Sequence, residues 1–259
     1  MDLGIAGRTA LVCASSQGLG RACAAALSRE GVAVFINGRD PAKLASAVAD
    51  LGALGGGEVQ GICADVTTPA GRDALIAACP EPDILVNNNA GPSPGAFQDF
   101  DGATWLLALE ANMVAPLQLI RAVLPQMRTR RFGRIVNITS AMVTTPRPHM
   151  TLSAGARAGL TAAVKGLSLD VARDNVTINN LLPERFDTAR QEQMARVAMA
   201  REGIDYAEAR RRQVQSIAAR RLGKPEEFGA MCAFLCGEMA GFVSGQNIHL
   251  DGGSYPALV

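Results

Sequence analysis

Short apolar runs alternate with alanine-rich helical stretches from one end of this 259-residue chain to the other. The runs are TALVC (9–13), VAVFIN (32–37), EVQGIC (58–63), DILVNN (83–88), GRIVNI (133–138), VTINNL (176–181) and NIHL (247–250). Strand–helix alternation at this spacing predicts a parallel sheet with helices on both faces, joined by right-handed crossovers. The expected fold is therefore α/β: a single doubly wound Rossmann-type domain, residues 1–259, with a sheet of about seven parallel strands. One segment breaks the rhythm. Residues 184–221 are helical in pattern and rich in arginine, and they follow the sixth strand. In open α/β sheets ligands bind outside the carboxyl ends of the strands, so a helical lid is expected there.

Composition narrows the function. A net charge of +1 and 4% aromatic residues give no basic, aromatic face of the kind nucleic acid requires. No signal peptide and no uninterrupted apolar run long enough to span a bilayer are evident, so no membrane association and a cytoplasmic location are expected. Cysteines 13, 23, 63, 79, 232 and 236 form no C-x-x-C pair, and the chain has only two histidines, His149 and His249. Buried free thiols and no metal site are expected.

CASSQGLG (13–20) links the first strand to the first helix. Gly18 and Gly20, flanking Leu19, let the backbone approach a pyrophosphate, and the helix start offers free N–H groups and a positive dipole end. The second strand ends INGRD (36–40), with Gly38 where an NAD site places an acidic side chain for the ribose hydroxyls. Arg39 follows and can pair with a 2′-phosphate; Ser15 or Ser16 can add a hydroxyl. NADP(H) is therefore expected in preference to NAD(H).

With these residues in view, the chain resembles the short-chain dehydrogenase/reductase family, in its compact 3-oxoacyl-carrier-protein-reductase-like form, from residue 7 to 255. CASSQGLG is similar to the family's T-G-x-x-x-G-x-G, with Cys13 for Thr and Ala14 for the first Gly. The resemblance implies that Asp65 and Val66 frame the adenine, and that NNAG (Asn88, Asn89, Ala90, Gly91) supports the sheet behind the cofactor. It also implies that Asn112 holds a proton-relay water, that Ser140 is the catalytic serine, and that Thr188 of PERFDT, after Pro183, reaches the nicotinamide amide. A homo-oligomer, tetramer or dimer, is implied through long helices at about 103–130 and 151–173.

The departures cluster at the chemistry. The family places a Tyr thirteen residues after its serine and a Lys four beyond that; counting from Ser140 gives Ser153 and Arg157. ARAGL aligns with the family's SKAAL and fixes the register independently. The tyrosines are Tyr206 and Tyr255 alone, and Lys165 lies two turns past Arg157. An aliphatic hydroxyl is a far weaker acid than a phenol, and a guanidinium is always protonated and cannot shuttle protons. Arg157 can still bond the nicotinamide ribose. A positioned general acid–base contributes about 10²–10⁴-fold, and cofactor binding does not depend on it. His149, Tyr206 or Tyr255 could supply a proton instead, or reduction of a conjugated alkene could use water held by Ser140 or Asn112. Glu184 replaces the family's Gly and adds bulk and charge near the cofactor.

The leading expectation is an NADP(H)-dependent oxidoreductase acting on a small carbonyl compound or conjugated alkene. The arginine-rich 184–221 segment leaves room for an anionic substrate. The alternatives are a non-catalytic NADP(H)-binding protein or hetero-oligomer subunit, and a non-redox lyase or isomerase on the same fold. Fold alone does not choose among them.

Overall fold

The structure is a computed structural model that describes residues 2–258. Seven parallel strands are present: β1 (Thr9–Val12), β2 (Ala33–Gly38), β3 (Val59–Cys63), β4 (Ile84–Asn87), β5 (Gly133–Ile138), β6 (Val176–Pro183) and β7 (Asn247–Leu250). Their order across the sheet is β3-β2-β1-β4-β5-β6-β7. The chain winds one way from β1 to β3, then crosses back to β4 and winds the other way. That reversal leaves a crevice between the carboxyl ends of β1 and β4, where ligands bind in doubly wound folds.

Side chains alternate across a strand, so each strand feeds both faces. From β1, Ala10 and Val12 join one buried cluster while Leu11 joins the other. Helices α1 (Gly18–Arg29) and α2 (Pro41–Gly52) cover the first face with a later helix, Pro225–Cys236. Helix α3 (Pro69–Ala78) lies on the second. There it is joined by the long helix that follows β4 and by Thr151–Val171, which follows β5. Expected and observed strands agree within one or two residues; the central strands β4 and β5, buried on both faces, are near-continuous apolar runs, whereas the edge strands β3 and β7 are partly exposed.

The helix after β4 has three parts: α4 (Gly102–Leu109), a π-helical turn (Glu110–Val114) and α5 (Ala115–Arg130). Here the sequence reading needs correction. These parts run on as one 29-residue helix with an 18-residue window of mean hydropathy 1.4, long and apolar enough by those measures to cross a membrane. Interspersed polar and charged residues hide this in the sequence. Leu119, Ile120, Val123 and Met127 are buried in the second core cluster, which gives that apolarity a place inside the domain.

Polar side chains brace the sheet near the crevice. Asn87, Asn137, Asn180 and Asn247 sit in register on β4 to β7 and pass amide hydrogen bonds along the row at 2.9, 3.0 and 2.8 Å. Each bond satisfies groups that burial would otherwise strand. The remaining helices are α6 (Thr151–Val171), α7 (Ala189–Glu202), α8 (Tyr206–Gln215) and α9 (Pro225–Cys236). α7 and α8 lie within the arginine-rich segment 184–221. Arg185 fastens it, donating to Gln213 O at 2.6 Å and Ser216 Oγ at 2.7 Å. Five of the six cysteines are buried and all are free; Cys63 is exposed, against the expectation of burial. No metal-binding cluster occurs among the described residues.

Candidate active site

A cleft of about 650 Å³ lies at the carboxyl ends of the central strands. The phosphate loop forms its floor. Gly18 has φ +62°, and open space lies where its Cβ would be. The N-cap of α1, Gln17, makes no side-chain capping bond, whereas Asp40 and Thr68 cap α2 and α3. The first N–H groups of α1 are thus left for an anion, as a pyrophosphate site requires. Ala14, in the place of the family's glycine, holds φ +44°. Its N–H donates to Asn37 Oδ1 at 3.2 Å and its carbonyl accepts from Asn88 Nδ2 at 3.0 Å. Those bonds hold an alanine in a region that glycine favours.

Of the expected cofactor residues, Ser16, Gly18, Leu19, Arg39, Asp65, Val66, Asn89, Ala90, Gly91, Arg157, Pro183 and Thr188 line this cleft. Two do not. Ser15 is fully buried, donating to Val12 O at 2.6 Å and accepting from Asn37 N at 2.9 Å; it shapes the loop from behind. Gly20 faces away from the cleft: a Cβ there would meet Ala14 O at 2.6 Å and Asn88 Nδ2 at 2.8 Å. It serves close packing between helix and strand.

At the β2 end of the cleft, a Cβ on Gly38 would lie 3.0 Å from Ser16 Oγ, so a side chain there would have to push the serine aside. Arg39 pairs with Asp65 at 3.5 Å, and Lys43, which the sequence reading missed, also lines the cleft. Desolvation, the largest influence on Asp65, pushes its carboxyl up. The Thr67 hydrogen bonds and the Arg39 charge outweigh it, so the net shift is downward and Asp65 stays ionised.

At the opposite end, Arg157 is 7% exposed. It donates to Ile138 O at 2.6 Å and to Asn89 O at 3.4 Å, tying the ends of β5 and β4 together. Burial brings its guanidinium down to about 10, so it is still charged at neutral pH. No carboxylate pairs with it among the described residues. Asn89 in turn donates to Ala111 O at 3.2 Å, a carbonyl of the π-helical turn. Asn112 in that turn is buried, with Nδ2 3.4 Å from Ala108 O and Oδ1 unpartnered; it lines neither cleft.

A second cleft, of about 360 Å³, adjoins the first and shares Pro183, Glu184, Arg190 and Gln191 with it. Ser140 lines it, with Oγ accepting from Met142 N at 3.2 Å, so the hydroxyl proton is free to be donated outward. His149 lines it too. Ser153 is buried and lines neither cleft. Tyr206 and Tyr255 also stay outside, Tyr255 stacked on His249 at 4.1 Å. Lys165 donates to Gly245 O at 3.0 Å, far along α6. Glu184, whose side chain is 6% exposed, receives Arg147 at 2.7 Å and lies 3.7 Å from Arg185. Arg147 is the other residue that sequence reasoning passed over; its role depends on a partner 37 positions away.

The family model described as "Enoyl-(Acyl carrier protein) reductase" matches residues 13–255. The chain belongs to the short-chain dehydrogenase/reductase family. It is 30% identical over 256 residues to the NADPH-dependent reductase BacG of Bacillus subtilis (strain 168), covering 97% of this chain and 99% of that one. Nodulation protein G of Rhizobium sp. (strain N33) is 32% identical over 256 residues, covering 96% and 97%. L-Sorbose reductase from Gluconobacter frateurii, solved with NADPH and L-sorbose, superposes with a TM-score of 0.95 at 28% identity over the full length of both chains. This short-chain dehydrogenase/reductase thus places its first cleft at the switch point where its fold class binds ligands, with the second beside it at the ends of β5 and β6.

Proposed function

We propose that the protein is an NADP(H)-dependent oxidoreductase that acts on a small carbonyl compound or conjugated alkene without a phenolic proton donor. The observation that carries this reading is the cleft itself. The start of α1, with no side-chain cap, opens on the cleft as a site for an anion, Ser16 crowds the position where Gly38 would carry an acidic side chain, and Arg39 and Lys43 stand beside it as cations for a 2′-phosphate. The NADPH named in BacG and in the sorbose reductase agrees with it.

When bound, the dinucleotide supplies or accepts the hydride. The chain's own residues do the rest. The resemblance assigns Asp65 and Val66 to the adenine and Thr188 to the carboxamide. Arg157 holds the strand ends and contributes a fixed positive charge at the ribose side. Ser140 donates its free proton in a hydrogen bond to the substrate oxygen, polarising it. With Ser153 and Arg157 where the family has Tyr and Lys, the proton comes from His149 or from water in the second cleft.

The test is a purified sample with NADPH against a panel of ketones, aldehydes and enones, followed by loss of reduced-nicotinamide absorbance. Turnover above the solvent rate supports the reading, and none across the panel overturns it. A second reading has one observation in its favour: no tyrosine lines either cleft. On that reading the protein binds NADP(H) and leaves chemistry to a partner subunit. Tight NADPH binding with no turnover is its signature. Self-association, tetramer or dimer, through α4, α5 and α6 is supported by Leu106, Leu107 and Leu169, which stand 68%, 72% and 73% exposed there.

A further inference from the structure

The second cleft carries more positive charge than its own carboxylates neutralise. Four guanidinium groups line it, Arg147, Arg185, Arg190 and Arg212, against two carboxylates, Glu184 and Glu202. Arg212 is matched, 2.8 Å from Glu202 and 2.6 Å from Glu208. Arg147 and Arg185 share the single carboxylate of Glu184. Arg190, in the first turn of α7, has no ion pair or hydrogen-bond partner among the described residues. It lines both clefts at their junction, beside Pro183 and Gln191. The excess charge therefore sits where a substrate must lie to reach both Ser140 and the cofactor cleft.

Among the remaining lining residues, Met142, Met150, Met194 and Ile204 form an apolar part of the wall, beside the polar Ser140, His149, Gln191 and Gln213. We infer that the substrate is a small oxo acid or unsaturated acid, whose carboxylate is gripped by Arg190 and whose hydrocarbon body lies against these methionines. A guanidinium presents paired donors that match a carboxylate, and a cleft walled by protein strengthens the attraction over its value in open water. Glu184 plays a positioning part. It keeps Arg147 and Arg185 folded back against the wall and leaves Arg190 as the group with free donors. This inference rests on the oxidoreductase reading for which cleft takes substrate, but binding alone tests it.

The experiment titrates short oxo acids and their methyl esters into the NADP⁺-loaded protein by calorimetry. The acids are expected to bind about ten- to a hundredfold tighter than their esters, the range of a charge-assisted hydrogen bond. Arg190→Gln should bring acid affinity down to the ester's, while Arg190→Lys should keep part of the preference. NADP⁺ affinity, measured separately on each variant, should move less than acid affinity. Equal binding of acid and ester by the wild type, or no binding of any acid, overturns the inference. So does a loss confined to NADP⁺, which would give Arg190 to the cofactor. Failure of the wild type to bind NADP⁺ would instead sink the oxidoreductase reading, and the two failures are distinguishable.

Discussion

Replacing Arg39 with alanine isolates the determinant of cofactor choice. The Arg39 side chain is 68% exposed and lies 3.5 Å from Asp65 Oδ2, so part of its charge is already spent on a neighbour. A hydrogen bond to a charged group contributes about 1.5–3 kcal/mol, and exposure with competition from Asp65 argues for the lower end. About 1.5 kcal/mol is roughly tenfold in Kd. NADPH should weaken by that factor in Arg39→Ala, while NADH, with a hydroxyl in place of the phosphate, should stay within about twofold. Removing Lys43 as well should deepen the loss for NADPH alone. Isothermal calorimetry with both dinucleotides on wild type, each single variant and the pair measures this directly. The gap between cofactors should narrow as salt is raised, because both cations are in water. Equal weakening of NADPH and NADH, or equal affinity in the wild type, would refute the reasoning.

Ala14→Gly should raise thermal stability, or at worst leave it unchanged: relief of the strain at φ +44°, about 1 kcal/mol, is set against the extra freedom of glycine in the unfolded chain. A clear fall in Tm would contradict that. Arg157→Met leaves the Ile138 and Asn89 carbonyls without their donor and should cost about 2–4 kcal/mol in denaturant unfolding. The pH dependence has a definite sign. Because the folded protein holds Arg157 down at about 10, the unfolded chain binds more protons above that pH, and wild type should gain on the variant as pH rises through it. A constant difference through that range would count against the buried-cation account. Leu107→Asp together with Leu169→Asp should shift the protein to monomer in light scattering after gel filtration, and a monomeric wild type would defeat the self-association proposal. In the native state a thiol reagent should modify Cys63 quickly and the other five cysteines slowly; rapid loss of several thiols would mean the core opens.

The strands and the phosphate loop were legible because each is a local pattern: an apolar run, a turn glycine, a helix start. Other features depended on register. Asn87, Asn137, Asn180 and Asn247 look like unrelated polar residues until four strands are aligned, and only then do their amides meet. Ser15 and Ser16 are adjacent in sequence, and only the turn decides that one faces the crevice while the other props the loop. The pairing of Arg147 with Glu184 joins the loop after β5 to the end of β6, and Arg190 gains meaning only because both glutamates nearby are already engaged. Burial, charge balance and shared walls are properties of three dimensions.

In the proposed reading, position 157 explains how the cleft can persist without the family's acid. What the surroundings ask of that side chain is a donor to two carbonyls at the ends of β4 and β5, and a guanidinium meets both through its fork, where an ammonium is a single point. On the resemblance, the family's proton-donating residue falls at position 153, where this chain has a serine buried outside both clefts. In the proposed reading the two tasks are separable because their atoms are different: the cation holds the strand ends and would reach the ribose, and a phenol would face the reacting oxygen. A chain can therefore change the acid and keep the cradle. The chemistry that remains is then set by what the second cleft offers, namely the Ser140 proton, His149 and the unpaired Arg190.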